Sequence, residues 1–175
     1  MNGRFITIEG GEGSGKSTQI AKLQAVLARN DIPHIITREP GGEPGAEAIR
    51  ELLVTGDKDR WDGLAETLLF SAARVQHVAR VIAPALAAGK WVICDRFMDS
   101  TRVYQGIGKG MQPAYIEALH QMTLGNVMPD TTFVLDIAPD IGLARAKGRA
   151  GNELRFETME LTFHQQVRAL SLIHI

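Results

Sequence analysis

The chain has 175 residues, a formal net charge of -1 and 45% hydrophobic residues, values of an ordinary globular domain with a sizeable core and no global field to attract nucleic acid or an acidic membrane. A single cysteine, Cys94, rules out an internal disulfide and fits a reducing cytosol, and the longest uncharged apolar stretch, Val81 to Gly89, is too short to span a bilayer. The expectation is a cytoplasmic protein with no nucleic-acid and no membrane partner, whose five histidines lack the spacing of a structural zinc site.

Arg4 to Glu9 is a short β-branched run that predicts a strand, and Ser17 to Arg29 carries Ile20, Leu23, Val26 and Leu27 at helical spacing, ended by Asn30. His34 to Thr37 predicts a second strand, far enough on for a right-handed parallel crossover. Gly45 to Val54 then predicts a helix stopped by Gly56. Asp62 is placed to cap a long helical pattern through Leu64, Leu68, Val75 and Val78, which Pro84 must kink or divide. Strands follow at Trp91 to Cys94 and Thr132 to Leu135, with helices at Pro113 to Leu124, Pro139 to Lys147 and Phe156 to Leu170. Near-continuous apolar strands alternating with helices predict an α/β, three-layer domain whose parallel sheet is flanked by helices on both faces. Such sheets bind ligands at the carboxyl ends of their strands.

Gly10, Gly11, Glu12, Gly13, Ser14, Gly15, Lys16 and Ser17 match G-x-x-x-x-G-K-[ST], set between a strand and a helix as a phosphate-binding loop requires. Glycines let successive backbone N–H groups point inward at an anion, the helix that begins there adds its positive end, and Lys16 brings a full charge to the outer phosphates. Ser17 is the candidate Mg²⁺ ligand, with Thr18 beside it. A tight turn that merely reverses the chain is the alternative. At the end of the third strand, WVICDRF puts Asp95 and Arg96 on the same rim: the carboxylate suits the Mg²⁺ shell, the guanidinium suits a second phosphate, and a plain surface ion pair is the other reading. Two phosphate grips point to phosphoryl transfer, which needs several cations and the exclusion of water. Arg145, Lys147, Arg149 and Arg155, set among glycines at about 144–156, are candidates for a closing lid, or else a solvated basic helix end.

Taken together, FITIEGGEGSGKST, TREPGG at 37–42, LLFSAAR at 68–74, DRFMDSTRVYQG at 95–106 and RFE at 155–157 closely resemble the thymidylate kinases, in order and over nearly the whole chain. The resemblance implies a P-loop NTPase fold and transfer of the γ-phosphoryl of ATP to dTMP, with Mg²⁺, in the route to dTTP. It implies catalytic roles for Lys16, Asp95, Arg96, Arg145 and Arg149, and Mg²⁺ binding by Ser17 and Asp95. Phe70 is placed on the thymine ring and Arg74 at its edge, although periodicity alone reads Phe70 as core. Arg38 and Arg96 are implied to hold the acceptor phosphate, Glu12 to approach the sugar hydroxyl or the metal shell, and Ser100, Thr101, Tyr104 and Gln105 to line base and sugar. Tyr104 would fill the space of a ribose 2′-hydroxyl; ordinary helix packing is its other reading. A homodimer is usual in the family.

Gly13 stands where one family subtype carries arginine, so the lid, through Arg145 and Arg149 and then Lys147, has to supply the catalytic cation. Leu154 replaces a frequent acidic residue. The family also continues past the last predicted helix into a further strand and helix, so residues 1–175 are expected to form a single, C-terminally truncated domain without its final edge strand. Another pyrimidine nucleotide kinase, or a truncated domain that binds nucleotide without turnover, are the competing readings. A GTPase switch is disfavoured because no N-K-x-D pattern occurs. The Glu39–Pro40 bond stays open between cis and trans, since an X-Pro bond alone favours trans.

Overall fold

The computed structural model describes residues 3–57, 59–147 and 159–174. Its strands are β1 (Phe5–Gly10), β2 (His34–Arg38), β3 (Trp91–Asp95) and β4 (Thr131–Leu135), all parallel and ordered β2-β3-β1-β4. The register pairs Ile8 with Asp95 and Arg38 with Asp95, so the carboxyl ends of the three strands that feed the predicted site lie side by side. The helices are α1 (Lys16–Arg29), α2 (Pro44–Val54), α3 (Gly63–His77), α4 (Ala83–Ala87), α5 (Met98–Thr101), α6 (Pro113–Leu124), α7 (Pro139–Lys147) and α8 (Leu161–His174).

Side-chain parity along the strands shows why both faces need cover. Phe5, Val92 and Cys94 join Val78, Ile82, Phe97, Met98 and Leu124 in one core cluster. Ile6, Ile8 and Ile93, one residue out of step, join Ile20 and Leu27 of α1 in another. Alternate residues of one strand therefore enter opposite cores, as a sheet packed on both sides demands. Phe5 packs edge-on against Phe97 with ring centroids 4.9 Å apart, and its complete burial contributes about 2 kcal/mol. The outer strands do not share this cover. Every residue of β1 is buried, whereas β4 alternates and leaves Phe133 50% exposed.

Local chemistry sets the helix ends. Asn30 closes α1, its side-chain amide donating to the Val26 carbonyl over 2.7 Å. Asp62 caps α3 by accepting the Ala65 N–H over 2.8 Å, as expected from its position. Pro84 divides the long helix in a specific way. It has no N–H to give and its ring crowds the turn before it, and the backbone widens into a π turn over Val78–Ile82 in which the Ala83 N–H reaches back to the Val78 carbonyl. A second π turn, Arg102–Ile107, follows α5. π turns of this kind are often found at functional sites, and this one carries Tyr104 and Gln105. The last helix reaches His174 rather than stopping at Leu170, since no Gly or Pro interrupts the run. The Glu39–Pro40 peptide is cis.

Candidate functional site

At the carboxyl ends of β1, β2 and β3 lies a cleft of about 600 Å³. Glu12 to Thr18 form one wall, while Arg38, Phe70, Arg74, Asp95, Arg96, Ser100, Thr101, Tyr104, Gln105 and Arg145 line the rest. The cleft thus gathers almost every site residue that the sequence nominated. Gly10 and Gly11 lie alongside, in a smaller recess between the loop, β4, α7 and α8. Arg149 and Arg155 lie outside the described residues, as does the Lys147 side chain, so of the lid cations only Arg145 is placed, exposed at the cleft edge.

The loop is built by backbone. Gly13 has φ +68, and a Cβ there would sit 2.0 Å from the Gly142 carbonyl oxygen of α7. A Cβ on Gly142 would in turn meet the Glu12 carbonyl oxygen at 2.3 Å. Two glycines thus let loop and helix touch, which explains a glycine inside α7 that helix propensity disfavours. The contact also explains why arginine has no place at position 13 of this chain. Lys16, 9% exposed, folds back so that Nζ donates to the carbonyls of Gly10 and Gly11, each at 3.0 Å. Burial, helped by the Arg96 cation, pulls its ammonium down to about 8. Ser17 and Thr18 are exposed on the first turn of α1.

Arg96 stands opposite the loop. Its backbone has φ +69, a left-handed conformation that costs a non-glycine residue about 1 kcal/mol or more. Two residues of the loop's own strand and wall hold it: its N–H donates to the Ile8 carbonyl at 3.0 Å, and its Nη2 donates to Glu12 Oε1 at 2.8 Å. Nη1 donates to Ser100 Oγ at 3.2 Å, and the guanidinium lies 5.2 Å from the Tyr104 ring centroid. Burial works against its charge, but Tyr104, Glu12, Asp95 and Glu9 outweigh that and hold it firmly protonated. For Glu12, burial pushes the carboxyl up while Arg96 and Lys16 overcome it and hold it below the usual range.

Asp95 supplies the test for a cation. Its Oδ1 is buried and has no hydrogen-bond partner among the described residues. An orphaned carboxylate oxygen costs free energy unless a cation or water meets it. Hard divalent ions prefer such oxygen ligands, and Asp95, lining the same cleft as Ser17, fits Mg²⁺.

The rest of the cleft is backed by a network of side chains drawn from distant parts of the chain. Arg74, 2% exposed, donates from Nε to Glu39 Oε2 at 2.6 Å and from Nη2 to the Phe97 carbonyl and Thr101 Oγ1 at 3.2 and 3.0 Å. Its Nη1 lies 3.4 Å from His120 Nε2. An arginine has only donors, so His120 accepts there through Nε2 and is neutral. Burial and then the Arg74 cation bring its ring down to about 4. The second Glu39 oxygen accepts from His77 Nδ1 at 3.1 Å, and His77 Nε2 lies 2.6 Å from the Thr37 hydroxyl. Gln105 donates to Glu66 at 2.8 Å, both buried. Phe70 is half-buried and lines the cleft. Arg38 also lines the cleft, its Nη2 held by Glu47 of α2 at 3.2 Å.

Sequence reasoning missed Glu9, Glu39, Arg50, His77, His120 and Gly142. Arg50 lines the cleft from α2 and donates to the Pro40 carbonyl at 2.6 Å. Only Gly142 carried a signal, as a glycine inside a helical pattern.

Comparisons with known proteins bear on family and fold. A family model described as thymidylate kinase matches residues 8–174. The thymidylate kinase of Magnetococcus marinus is 56% identical over 168 residues, which cover 96% of this chain and 80% of that protein. That of Caulobacter vibrioides is 53% identical over 167 residues, covering 95% and 80%. Among solved structures, the crystal structure of thymidylate kinase from Ehrlichia chaffeensis superposes with a TM-score of 0.76 at 35% identity, over 99% of this chain and 84% of that one.

Proposed function

Since the chain belongs to the thymidylate kinase family, we propose that it transfers the γ-phosphoryl of ATP to dTMP, giving dTDP for dTTP synthesis. The observation that carries this reading is the pairing across the cleft: the phosphate-loop residue Glu12 directly holds Arg96, so donor and acceptor cations face one gap.

The loop amides and Lys16 bind the β- and γ-phosphates of the donor. Nζ exchanges its contacts with the Gly10 and Gly11 carbonyls for phosphate oxygens that carry real charge. Ser17 and Asp95 would hold Mg²⁺, which would supply positive charge to offset that of the donor phosphates. Arg96 and Arg38 grip the dTMP phosphate and align it with the donor; alignment and charge neutralisation are most of what such a reaction asks of a protein. Phe70 stacks on thymine, Arg74 donates at its edge, and Ser100, Thr101, Tyr104 and Gln105 surround base and sugar, with Tyr104 in the place of a 2′-hydroxyl. Arg145 and Arg149 complete the cation set from a lid at about 144–156.

Residues 1–175 act as one nucleoside monophosphate kinase domain. The protein is cytoplasmic, in keeping with its one buried, unpaired cysteine and with the absence, among the described residues, of any helix long and apolar enough to cross a membrane. It pairs as a homodimer through the outward side of α3, where Leu64, Leu68 and Val75 are 56%, 49% and 38% exposed.

A coupled assay with Mg-ATP and a panel of nucleoside monophosphates tests the activity. Turnover greatest with dTMP is expected. ATP binding without turnover of any monophosphate would overturn it, and light scattering would overturn the homodimer by finding one chain per particle.

A further inference from the structure

Glu9 is the last residue of β1 before the phosphate-binding loop, and nothing about the loop motif calls for a carboxylate there. Its position follows from strand parity. Phe5 and Thr7 point to the face where Phe97 packs, so Glu9, two residues on, points there too, but at the level of the cleft. The side chain is 2% exposed. Its Oε1 accepts the Phe97 N–H at 2.7 Å and its Oε2 accepts the Ser100 hydroxyl proton at 2.7 Å. A serine hydroxyl has one proton. Given to Glu9, it leaves Ser100 Oγ with lone pairs only toward Arg96, whose Nη1 donates to it at 3.2 Å. Between the two anchored residues, Phe97 and Ser100, and the end of β3 lies Arg96 with its left-handed backbone.

We propose that Glu9 is a positioning residue for the acceptor phosphate, holding Arg96 in its strained turn by anchoring Phe97 and orienting Ser100, and thereby tying the acceptor grip to the strand that ends in the donor loop. This rests on the reading of Arg96 as an acceptor-phosphate ligand. Anchors on both sides of a strained residue are what keep such a backbone populated, and an arginine that is preorganised loses less freedom when a phosphate arrives.

The burial of Glu9 has a cost that separates this role from a structural one. Burial pushes its carboxyl up to about 7, against the opposing pull of Arg96 and the Ser100 and Phe97 hydrogen bonds. A group whose folded value lies above its ordinary 4.5 withdraws stability as pH rises from about 4.5 through 7. At pH 8 a neutral isostere therefore folds at least as well as the wild type.

The test is Glu9→Gln, with Ser100→Ala and the double variant, in dTMP and ATP titrations at pH 8. Glutamine still accepts from Phe97 but presents donors to Ser100. The expected result is a KM for dTMP raised about tenfold, the scale of one charge-assisted hydrogen bond, with KM for ATP within about twofold and the unfolding midpoint not lowered. Ser100→Ala also raises KM for dTMP, and adds much less in the Glu9→Gln background than in wild type, because both act through one relay. An unchanged KM for dTMP, equal losses for ATP and dTMP, a lowered midpoint, or full additivity would each overturn the proposal. Failure of the wild type itself to turn over dTMP would instead overturn the functional reading.

Discussion

The two walls of the cleft are built by different means. The proposed donor wall is eight consecutive residues, Gly10 to Ser17, and what it offers a ligand is mostly backbone amides that any suitable glycine pattern presents. The acceptor wall is assembled from β1, β2, α3, β3, the π turn after α5 and α6, through side-chain contacts such as Arg74 to Glu39 and Arg96 to Glu12, 35 and 84 residues apart in sequence. Backbone ligation needs only local geometry. Side-chain ligation needs the whole fold to be right first, so the acceptor wall should be where specificity and stability are coupled, and the donor wall where chemistry can be lost with the fold intact.

The largest break of this contrast is Glu39→Ala. It leaves the Arg74 guanidinium and His77 buried without their shared carboxylate, and about 3–5 kcal/mol should be lost in denaturant unfolding, together with dTMP binding. ATP binding by the folded fraction should survive. Lys16→Ala should do the reverse. Turnover falls about a thousandfold, the scale for removing one preorganised donor to the transition state, while the unfolding midpoint moves by no more than about 3 °C. A large loss of stability in Lys16→Ala would erase the distinction.

Arg149→Ala tests the proposed lid. Turnover should drop about a hundredfold, far more than ATP affinity; equal turnover in wild type and variant would remove Arg149 from the catalytic set. The smallest effect concerns His120, which meets the network, among the described residues, through Arg74. Its folded value of about 4 lies below the ordinary 6.5. The neutral ring therefore supports stability fully above pH 6.5, and that support declines as pH falls toward 4. Glu9 titrates with the opposite sign in the folded state, so the comparison between variants isolates the histidine. His120→Gln should flatten the fall in unfolding midpoint between pH 6.5 and 5 by a few degrees, as read by thermal scans at each pH.

How far the site could be read beforehand follows the same division. The loop, Asp95 and Arg96 were legible because their chemistry is contiguous and sits at a strand end. Phe70 and Arg74 were not legible from periodicity, which puts both on an ordinary amphipathic helix; only the family resemblance raised them. Glu39 stood inside the quoted TREPGG motif but gave no sign of its partners, and His77 had no signal, as each looks like a common polar residue until folding buries them together. Pro84 announced an interruption but not its form, since a kink, a break and a π turn all relieve the same missing N–H.

By itself, then, the amino-acid order dictated the alternation of strands and helices, the parity that packs both sheet faces, and the phosphate cradle, because each of these depends on residues within a few positions of one another. The tertiary structure alone decided which polar side chains meet. Hydrogen bonds between residues 23 and 91 positions apart, from Arg74 to the Phe97 carbonyl and from Ser100 to Glu9, exist only where strand register and helix packing bring donor and acceptor within about 3 Å, and no local pattern encodes that meeting.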